Sequence, residues 1–302
     1  MAAHYLDFER PIADLESKIE ELSKLSETAG PGAFETEIQA LRDRAQELRV
    51  EAYANLDAWQ KTMVARHPER PHLRDYLASL IDEFVSRRVR GLIVISTMSS
   101  HEGLSAAQEK GIPVVFVDRS PVGLKADSIV LDNYSGARAA VEQLLSLGHT
   151  RIGYVSHLSR LQPHWERIAG FSDAMTAAGI ETWREFAEDG AFDIDSAVVA
   201  VEKLLSRDPR PTAIFTGNNR ITIGALKAIA NIAPETALIG FDDFDVASML
   251  GVTTVSYDPA EMGRLAAQIV LEAPGLRSQE PRSIVVPTRI VQRGSGERPP
   301  VD

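Results

Sequence analysis

The chain has 302 residues, of which 44% are apolar, so its length suits about two domains and its composition excludes wholesale disorder. Acidic residues number 43 against 32 lysines and arginines, and the net charge of -11 disfavours non-specific binding to nucleic acids or anionic membranes. The absence of cysteine excludes disulfides, thiolate metal sites and cysteine nucleophiles. No apolar run approaches the roughly 18 residues of a membrane span and the acidic N-terminus is not a secretory signal, so we expect a cytoplasmic α/β protein.

The first 76 residues predict a helical hairpin without strands. Apolar residues recur there at helical spacing in two stripes. The first stripe comprises Ile12, Leu15, Ile19 and Leu22, and the second comprises Ile38, Leu41, Ala45, Leu48 and Ala52. Gly30-Pro31-Gly32 separates the stripes, because such a tripeptide breaks a helix. Two narrow stripes joined by a breaker are typical of a hairpin with a coiled-coil-like seam.

From Leu73 onward, short apolar runs alternate with amphipathic helices. Strands are expected at residues 91–96, 113–118, 128–132, 151–156, 212–217, 237–242 and 253–258. Helices are expected at residues 101–110, 136–147, 164–178, 194–206, 219–231 and 259–272. This alternation predicts parallel sheet with helices on both faces. The tail from Arg282 to Arg293 alternates like an edge strand, and the residues from Gly294 onward are expected to fray.

Polar residues follow four of the predicted strands at the point where each strand ends. They are Asp118-Arg119, Asp132-Asn133, Asn218-Asn219-Arg220 and Asp242-Asp243. Ligands of open α/β sheets bind outside the carboxyl ends of the strands. Carboxylate and amide oxygens accept hydrogen bonds from hydroxyls while guanidinium groups donate them, so this rim suits a hydroxyl-rich ligand. The alternative is that these residues only cap helices and form turns.

Catalytic and metal-binding motifs have no counterpart in the sequence. It contains no G-x-G-x-x-G after a strand, no phosphate-binding P-loop, no H-E-x-x-H and no G-x-S-x-G. Asp242 and Asp243 are adjacent on a strand and point to opposite faces, so they do not easily share a proton. His149 follows a glycine and is expected to secure a helix end rather than bind a metal. The sequence therefore predicts no catalytic residue, no metal site and no cofactor.

A set of motifs follows in fixed order between residues 74 and 297. The motifs are Asp118-Arg119, Ser128-Ile129-Val130-Leu131-Asp132-Asn133, Leu147-Gly148-His149-Thr150-Arg151-Ile152-Gly153, Trp165-Glu166-Arg167-Ile168-Ala169-Gly170-Phe171, Thr216-Gly217-Asn218-Asn219-Arg220, Ile239-Gly240-Phe241-Asp242-Asp243 leading to Val252-Thr253-Thr254-Val255, and Val286-Pro287 through Arg293-Gly294-Ser295. Their order and spacing resemble the effector-binding core of LacI/GalR-type transcription regulators. The resemblance implies a type I periplasmic-binding-protein-like fold, in which two parallel-sheet subdomains clamp a small ligand.

The same resemblance implies which residues contact the effector, a sugar or similar polyol. Arg167 would donate to ligand hydroxyls or to a carboxylate. Asn218 and Asp242 would bind hydroxyls from the C-terminal subdomain, while Asp118 would contact the ligand from the N-terminal one. Phe192 or an apolar neighbour would stack on a sugar face. Family members usually dimerise through this core, which implies a homodimer.

The resemblance also divides the chain into subdomains. It assigns residues 77–132 plus 258–281 to an N-terminal subdomain and residues 133–257 plus 282–302 to a C-terminal effector-binding subdomain. The helix-turn-helix of the family and the first strand, first helix and second strand of the N-terminal subdomain have no counterpart here. We therefore expect a truncated subdomain and no direct binding of DNA by this chain. An incomplete sheet leaves backbone groups unpaired, so a remnant that binds no ligand is one alternative.

Residues 1–76 carry a second set of motifs. They are Tyr5-Leu6-Asp7-Phe8-Glu9-Arg10-Pro11-Ile12, Ala58-Trp59-Gln60 and Ala65-Arg66-His67-Pro68-Glu69-Arg70-Pro71, ending at Asp75-Tyr76. This stretch resembles the helical lead-in of the acetyl-CoA carboxylase carboxyltransferase alpha subunit, whose crotonase-like body has no counterpart here. We therefore predict a chimera-like chain, in which a helical arm precedes a non-catalytic LacI-type sensor domain. The alternative is a carboxyltransferase alpha-like protein of fatty acid biosynthesis.

Overall fold

A computed structural model describes residues 5–29, 34–65, 67, 73–157, 161–272 and 280–301. The chain divides into two compact units, Met1–Leu77 and Ala78–Asp302. The predicted helix breaker at Gly30-Pro31-Gly32 lies outside the described residues. No helix in the described ranges is long and apolar enough to cross a membrane.

The first unit is built around a helical hairpin, as the two apolar stripes predict. After a 3-10 turn at Asp7–Glu9, α1 spans Arg10–Ala29, α2 spans Glu35–Ala54 and α3 spans Ala58–Ala65. Helices α1 and α2 pack against each other, and stripe residues Ile12, Ile38 and Ala45 are buried. A fourth helix, α4, spans Leu73–Ser86 and continues past Leu77 into the second unit. The predicted helical hairpin is therefore confirmed, while its coiled-coil-like seam stays a prediction.

The second unit contains two sheets, and the smaller one has four parallel strands. These strands are β1 (Leu92–Val94), β2 (Val114–Val117), β3 (Asp127–Leu131) and β9 (Ser283–Val286), in the order β1-β2-β3-β9. Helix α5 spans Ser105–Glu109 and α10 spans Pro259–Glu272. Apolar residues of α10, among them Met262 and Ala266, pack against β2 and β3. Strand β1 is the edge of this sheet, and the side chain of Ile93 on it is 51% exposed.

The larger sheet has six strands and helices on both faces. Its strands are β4 (Ile152–Val155), β5 (Ala187–Glu188), β6 (Ala213–Thr216), β7 (Ala237–Phe241), β8 (Thr253–Ser256) and β10 (Arg289–Val291), in the order β10-β8-β7-β6-β4-β5. Its helices are α6 (Asn133–Ser146), α7 (Gln162–Ala177), α8 (Ile194–Leu205) and α9 (Asn219–Ile232). Helices α6 and α7 pack on one face, and α8 and α9 pack on the other. The predicted α/β fold with two largely parallel sheets is confirmed.

The tail forms edge strands as expected, but two of them rather than one. Residues 282–293 form two strands in different sheets: β9 pairs in parallel with β3, whereas β10 pairs antiparallel with β8. Pro287 lies between them and has no N–H to continue a ladder, so the strand ends there. Strand β9 therefore belongs with the N-terminal sheet, although residues 282–302 were expected in the C-terminal subdomain.

The end of the chain is packed rather than frayed. Ser295 is buried, and its hydroxyl donates to the carbonyl oxygen of Leu238 at 2.6 Å. Gly296 lies so close to β7 that a Cβ atom there would be 2.6 Å from Cγ1 of Ile239. Arg298 donates through Nη1 to the carbonyl oxygen of Pro234 at 2.6 Å. These contacts cover the amino ends of the central strands.

Three short segments connect the two sheets. The chain passes from β3 to α6 at residues 131–133, from β8 to α10 at 256–259 and from β9 to β10 at 286–289. The two sheets therefore form separate layers joined by three crossings, and the carboxyl ends of their parallel strands border a common cleft.

Candidate functional site

The cleft between the two sheets holds a cavity of about 660 Å³. Its wall includes all four residues that the sequence predicts as ligand contacts, which are Asp118, Arg167, Asn218 and Asp242. Asp118 follows β2 of the smaller sheet, and Asp242 follows β7 of the larger one. Residues that are distant in the chain thus meet at one site because both sheets end there.

Asp118 and Asp242 share an unusual backbone conformation. Their φ angles are 74° and 66°, in the left-handed region that few residues other than glycine adopt. Aspartate tolerates this region better than most residues, and such conformations concentrate at functional sites. The pKa of the Asp118 carboxyl is raised, because the effect of burial outweighs the opposing effect of the neighbouring Arg119 guanidinium. Both carboxylates are positioned to accept hydrogen bonds from a ligand in the cavity.

Arg167, in the second turn of α7, uses most of its donors within the protein. Its Nε donates to Oδ1 of Asn133 at 2.9 Å, and its Nη1 donates to the carbonyl oxygen of Gly217 at 2.6 Å. Its two Nη atoms also donate to the Asp242 carboxylate at 3.2 and 3.3 Å. A guanidinium has five N–H groups, so these bonds to described residues leave one for a ligand. Arg167 therefore holds Asp242 in place, and its role as a ligand donor stays a prediction.

Asn218 caps α9, as the alternative interpretation of the strand-end residues proposed. Its Oδ1 accepts a hydrogen bond from the backbone N–H of Ile221 at 3.0 Å. The capping bond occupies the oxygen, so the Nδ2 amide is the group that this residue offers to the cavity. Asp132 caps α6 in the same way, accepting from the N–H of Ser135 at 3.1 Å. Asp132 and Asn133 are not among the described residues of the cavity wall.

Asp243 and His149 have structural roles. The Asp243 carboxylate pairs with Arg293 at 2.7 Å, whereas the Asp242 carboxylate pairs with Arg167. The different partners agree with the prediction that the two carboxylates point apart. His149 is buried, with Nδ1 at 2.8 Å from Oγ1 of Thr212 and Nε2 at 2.9 Å from the carbonyl oxygen of Arg298. The imidazole therefore joins β6 to the C-terminal tail. No group of three or more metal-ligating side chains occurs within the described residues.

Sequence reasoning missed a pair of stacked histidines in the cavity wall. His157 follows β4 and His164 lies in the first turn of α7, with ring centroids 5.3 Å apart and ring planes 19° apart. Burial, with smaller effects of Arg167, His157 and Arg119, lowers the pKa of His164 to about 4. Neither residue belongs to a recognisable motif, so only the fold could bring them together. Phe192, expected to stack on a sugar face, also lines the cavity and is 63% exposed.

A chain of hydrogen bonds links the two sides of the cleft. The backbone N–H of Ser120, beyond β2, donates to Oε1 of Gln162 in α7 at 2.8 Å. Gln162 donates in turn to Glu166 at 2.8 Å, and Nδ2 of Asn133 donates to the other Glu166 oxygen at 2.9 Å. Arg167 then links Asn133 to Asp242. These bonds connect the two sheets through one polar network.

Comparison with known proteins gives two separate similarities along the chain. The family model of the periplasmic binding protein-like domain matches residues 141–296. The family model described as acetyl co-enzyme A carboxylase carboxyltransferase-like matches residues 5–91. The second match extends past the predicted end of the arm at residue 76 and includes α4.

Individual relatives show the same division. The acetyl-coenzyme A carboxylase carboxyl transferase subunit alpha of Caulobacter vibrioides is 91% identical over 88 residues, which are 29% of this chain and 28% of that protein. The HTH-type transcriptional repressor PurR of Vibrio cholerae is 30% identical over 229 residues, 73% of this chain and 66% of that protein. This chain thus spans under a third of the first relative and about two thirds of the second.

A solved structure extends the similarity to the fold. The complex of the transcriptional regulator CelR with cellobiose has 27% sequence identity and a TM-score of 0.60, covering 72% of this chain and 69% of that chain. The two-sheet architecture, the cleft and the family match all indicate a periplasmic-binding-protein-like fold. The chain belongs to the periplasmic binding protein-like family, resembles its LacI-type transcription regulators, and begins with a segment similar to the carboxyltransferase alpha subunit.

Proposed function

We propose that this chain is a cytoplasmic, non-catalytic sensor domain of LacI type that binds a small sugar-like effector in the cleft. The observation that carries the proposal is the convergence of Asp118, Arg167, Asn218 and Asp242 on one cavity between the two sheets. Carboxylates that accept and amide or guanidinium groups that donate match the alternating hydroxyls of a polyol. The cellobiose held by the similar regulator CelR supports this ligand class.

The proposed sensor uses both sheets. Its N-terminal subdomain comprises residues 77–132 and 258–281, to which β9 is added, and its C-terminal subdomain comprises residues 133–257 with the packed tail after β9. Asp118 contacts the effector from the first subdomain and Asp242 from the second. Because a ligand that touches both would favour a closed cleft, binding is coupled to the relative position of the sheets.

The arm contributes neither operator binding nor carboxyl transfer in this proposal. Residues 5–91 match a carboxyltransferase-like model, whereas the periplasmic binding protein-like match covers residues 141–296. The matched segment is 28% of the carboxyltransferase relative, which supports no activity of the whole enzyme. The 91% identity favours one second candidate, in which the arm makes this chain a carboxyltransferase alpha-like component. Formation of malonyl-CoA after addition of the beta subunit would support that candidate and contradict ours.

Thermal melting with a panel of neutral sugars, sugar acids, sugar phosphates and nucleosides tests the proposal. A ligand at about 100 times its dissociation constant stabilises the folded chain by about 2.7 kcal/mol, which corresponds to a rise of about 5–10 °C in Tm. We expect one sugar-like compound to give this rise in Tm. The variant Asp242→Asn should lose the rise. The variant Asp245→Asn, which changes an exposed carboxylate outside the cavity wall, should keep it. A cooperative melt that no compound shifts would contradict the proposal and favour a remnant without ligand.

We also propose that a second copy of this chain is a partner, so that the protein forms a homodimer. The turn between β7 and β8 exposes three apolar side chains: Val246 is 44% exposed, Met249 is 84% exposed and Leu250 is 55% exposed. Large apolar side chains clustered on a surface commonly mark an interface. Light scattering coupled to gel filtration should give a dimer mass for the full chain and a monomer mass for the double variant Met249→Glu/Leu250→Glu. A monomeric parent chain would contradict this proposal.

A further inference from the structure

One side of the cavity wall has buried polar atoms that lack partners. His164 is 9% exposed, and the Nδ1 atoms of His157 and His164 are buried without a hydrogen bond to any described residue. The Nε of Arg119 is also buried, but it has an ion-pair partner in Oδ2 of Asp118 at 3.5 Å. Buried polar atoms in proteins are almost always hydrogen-bonded. Two imidazole atoms without partners, both in residues of one cavity wall, therefore point to a polar group that enters the cleft.

The charge of the wall identifies that group as an acceptor. Among the described residues of the wall, the charged ones are three arginines and two aspartates, a net charge of +1 in a chain whose total is -11. Both aspartates have a cationic neighbour, since Asp242 lies 3.2 Å from Arg167 and Asp118 lies 3.5 Å from Arg119. Arg220, in the first turn of α9, is exposed at the cavity. The wall is thus locally cationic although the chain is strongly acidic.

Two helix N-termini add to this positive potential. Pro163 and His164 of α7 line the cavity, as do Asn219 and Arg220 of α9, and each pair lies in the first turn of its helix. The two helices have 16 and 14 residues, enough for a full macrodipole whose positive end is at the N-terminus. An anion is favoured where such ends meet donors without partners.

We propose that the effector carries an acid group, a carboxylate or a phosphate, which binds against His157 and His164 at the N-terminus of α7. This inference rests on the proposed function, because it concerns the same cavity. The acid group accepts hydrogen bonds from the two imidazoles and from the guanidinium of Arg119, while Arg220 attracts it. The remaining hydroxyls of the effector bind Asp118, Asp242 and the amide of Asn218. A sugar acid or a sugar phosphate meets both requirements.

Titration calorimetry on the full chain with matched ligand pairs tests this inference. The pairs are glucuronate with glucose, galacturonate with galactose, gluconate with glucitol, glucose 6-phosphate with glucose and ribose 5-phosphate with ribose. We expect at least one acid to bind about tenfold or more tightly than its neutral partner, because charge-assisted hydrogen bonds are the stronger ones. The carboxylate and phosphate arms identify which acid group the site prefers. The affinity for the preferred acid should fall as the sodium chloride concentration rises, because salt screens part of the electrostatic attraction.

Variants separate the subsite from a general charge effect. His164→Ala and Arg220→Gln should each reduce the advantage of the acid over its neutral partner by about threefold or more. Arg184→Gln, which removes an exposed arginine outside the cavity wall, should leave the advantage unchanged. Circular dichroism and the retained binding of a neutral sugar confirm that a variant is folded.

Failure of the acid subsite can be distinguished experimentally from failure of the sugar-sensor function. If neutral sugars bind as tightly as their acids, the acid subsite is overturned while the sugar-sensor function stands. An acid advantage that persists in His164→Ala and Arg220→Gln overturns the placement of the acid group. If the folded chain binds neither member of any pair, both the proposed function and this inference fail.

Discussion

The helical hairpin and the two-sheet unit bury their apolar residues to different extents. Between residues 5 and 65, the buried apolar side chains in the described ranges are Leu6, Ile12, Ile38 and Ala45. In the larger sheet, every residue of β4, β6, β7 and β8 is buried. Helices alone are marginally stable, and a narrow seam adds little apolar burial. The hairpin therefore depends on few contacts, whereas the sheet unit has a continuous core.

The largest effect should come from the core of the sheet unit. Phe215 on β6 is fully buried, with its ring 5.5 Å from that of Tyr154 and 6.4 Å from that of Phe171. We expect Phe215→Ala to lower the free energy of unfolding by about 3–5 kcal/mol, because it leaves a cavity. Urea denaturation followed by circular dichroism measures the loss. The control Phe192→Ala removes a 63% exposed ring and should cost under about 1 kcal/mol; equal losses would contradict the prediction.

The next effect concerns the buried arginine of the cleft. Arg167→Ala should weaken effector binding by about 2–4 kcal/mol, because it leaves Asp242 and the Gly217 carbonyl without their donor. The variant should also melt at a lower temperature without ligand, since the half-buried Asp242 carboxylate loses its partner. Calorimetry and thermal melting measure the two effects. Unchanged affinity in Arg167→Ala would show that Asp242 needs no positioning, and Arg184→Ala serves as the exposed control.

A smaller effect follows from the histidine pair. The pKa of His164 is lowered to about 4 in the folded chain, so folding favours the neutral imidazole. As the pH falls through about 6.5, the imidazole takes up a proton in the unfolded chain before it does so in the folded chain. The free energy of unfolding should therefore decrease between about pH 6.5 and 4. This group should contribute on the order of 2 kcal/mol to the decrease. His101 and His149, whose pKa values burial also lowers, act in the same direction. Urea denaturation at several pH values should give a shallower dependence for His164→Gln.

The smallest effect should come from the surface of the hairpin. Arg49 on α2 pairs with Glu16 on α1 at 2.5 Å, but the two side chains are 49% and 34% exposed. Exposed ion pairs contribute little, so Arg49→Ala should change stability by less than about 1 kcal/mol. Ile38→Ala, in the seam, should cost more than Arg49→Ala when helicity is followed during thermal melting. The reverse order would mean that polar pairs rather than the seam hold the hairpin.

Much of the fold was predictable because its signals are local. Each apolar run predicted as a strand from residue 91 to residue 258 became a strand, and Asp118 and Asp242 at two of the strand ends line one cavity. Pairing over long distances was not predictable. Strand β9 lies beside β3, and Ser283 pairs with Ser128, 155 residues away, which an alternating pattern does not encode. The contact of His157 with His164 and the packing of the tail depend on the tertiary fold in the same way.

The polar network across the cleft makes one backbone amide a reporter of domain opening. The N–H of Ser120 lies on one side of the cleft and its acceptor, Oε1 of Gln162, lies on the other. Any separation of the sheets breaks this bond and exposes the amide to solvent, so its deuterium uptake measures how often the cleft opens. The neighbouring amides of β2 stay paired within their own sheet and provide the internal reference. Effector binding would thus be visible as slower exchange at a residue that lies outside the cavity wall.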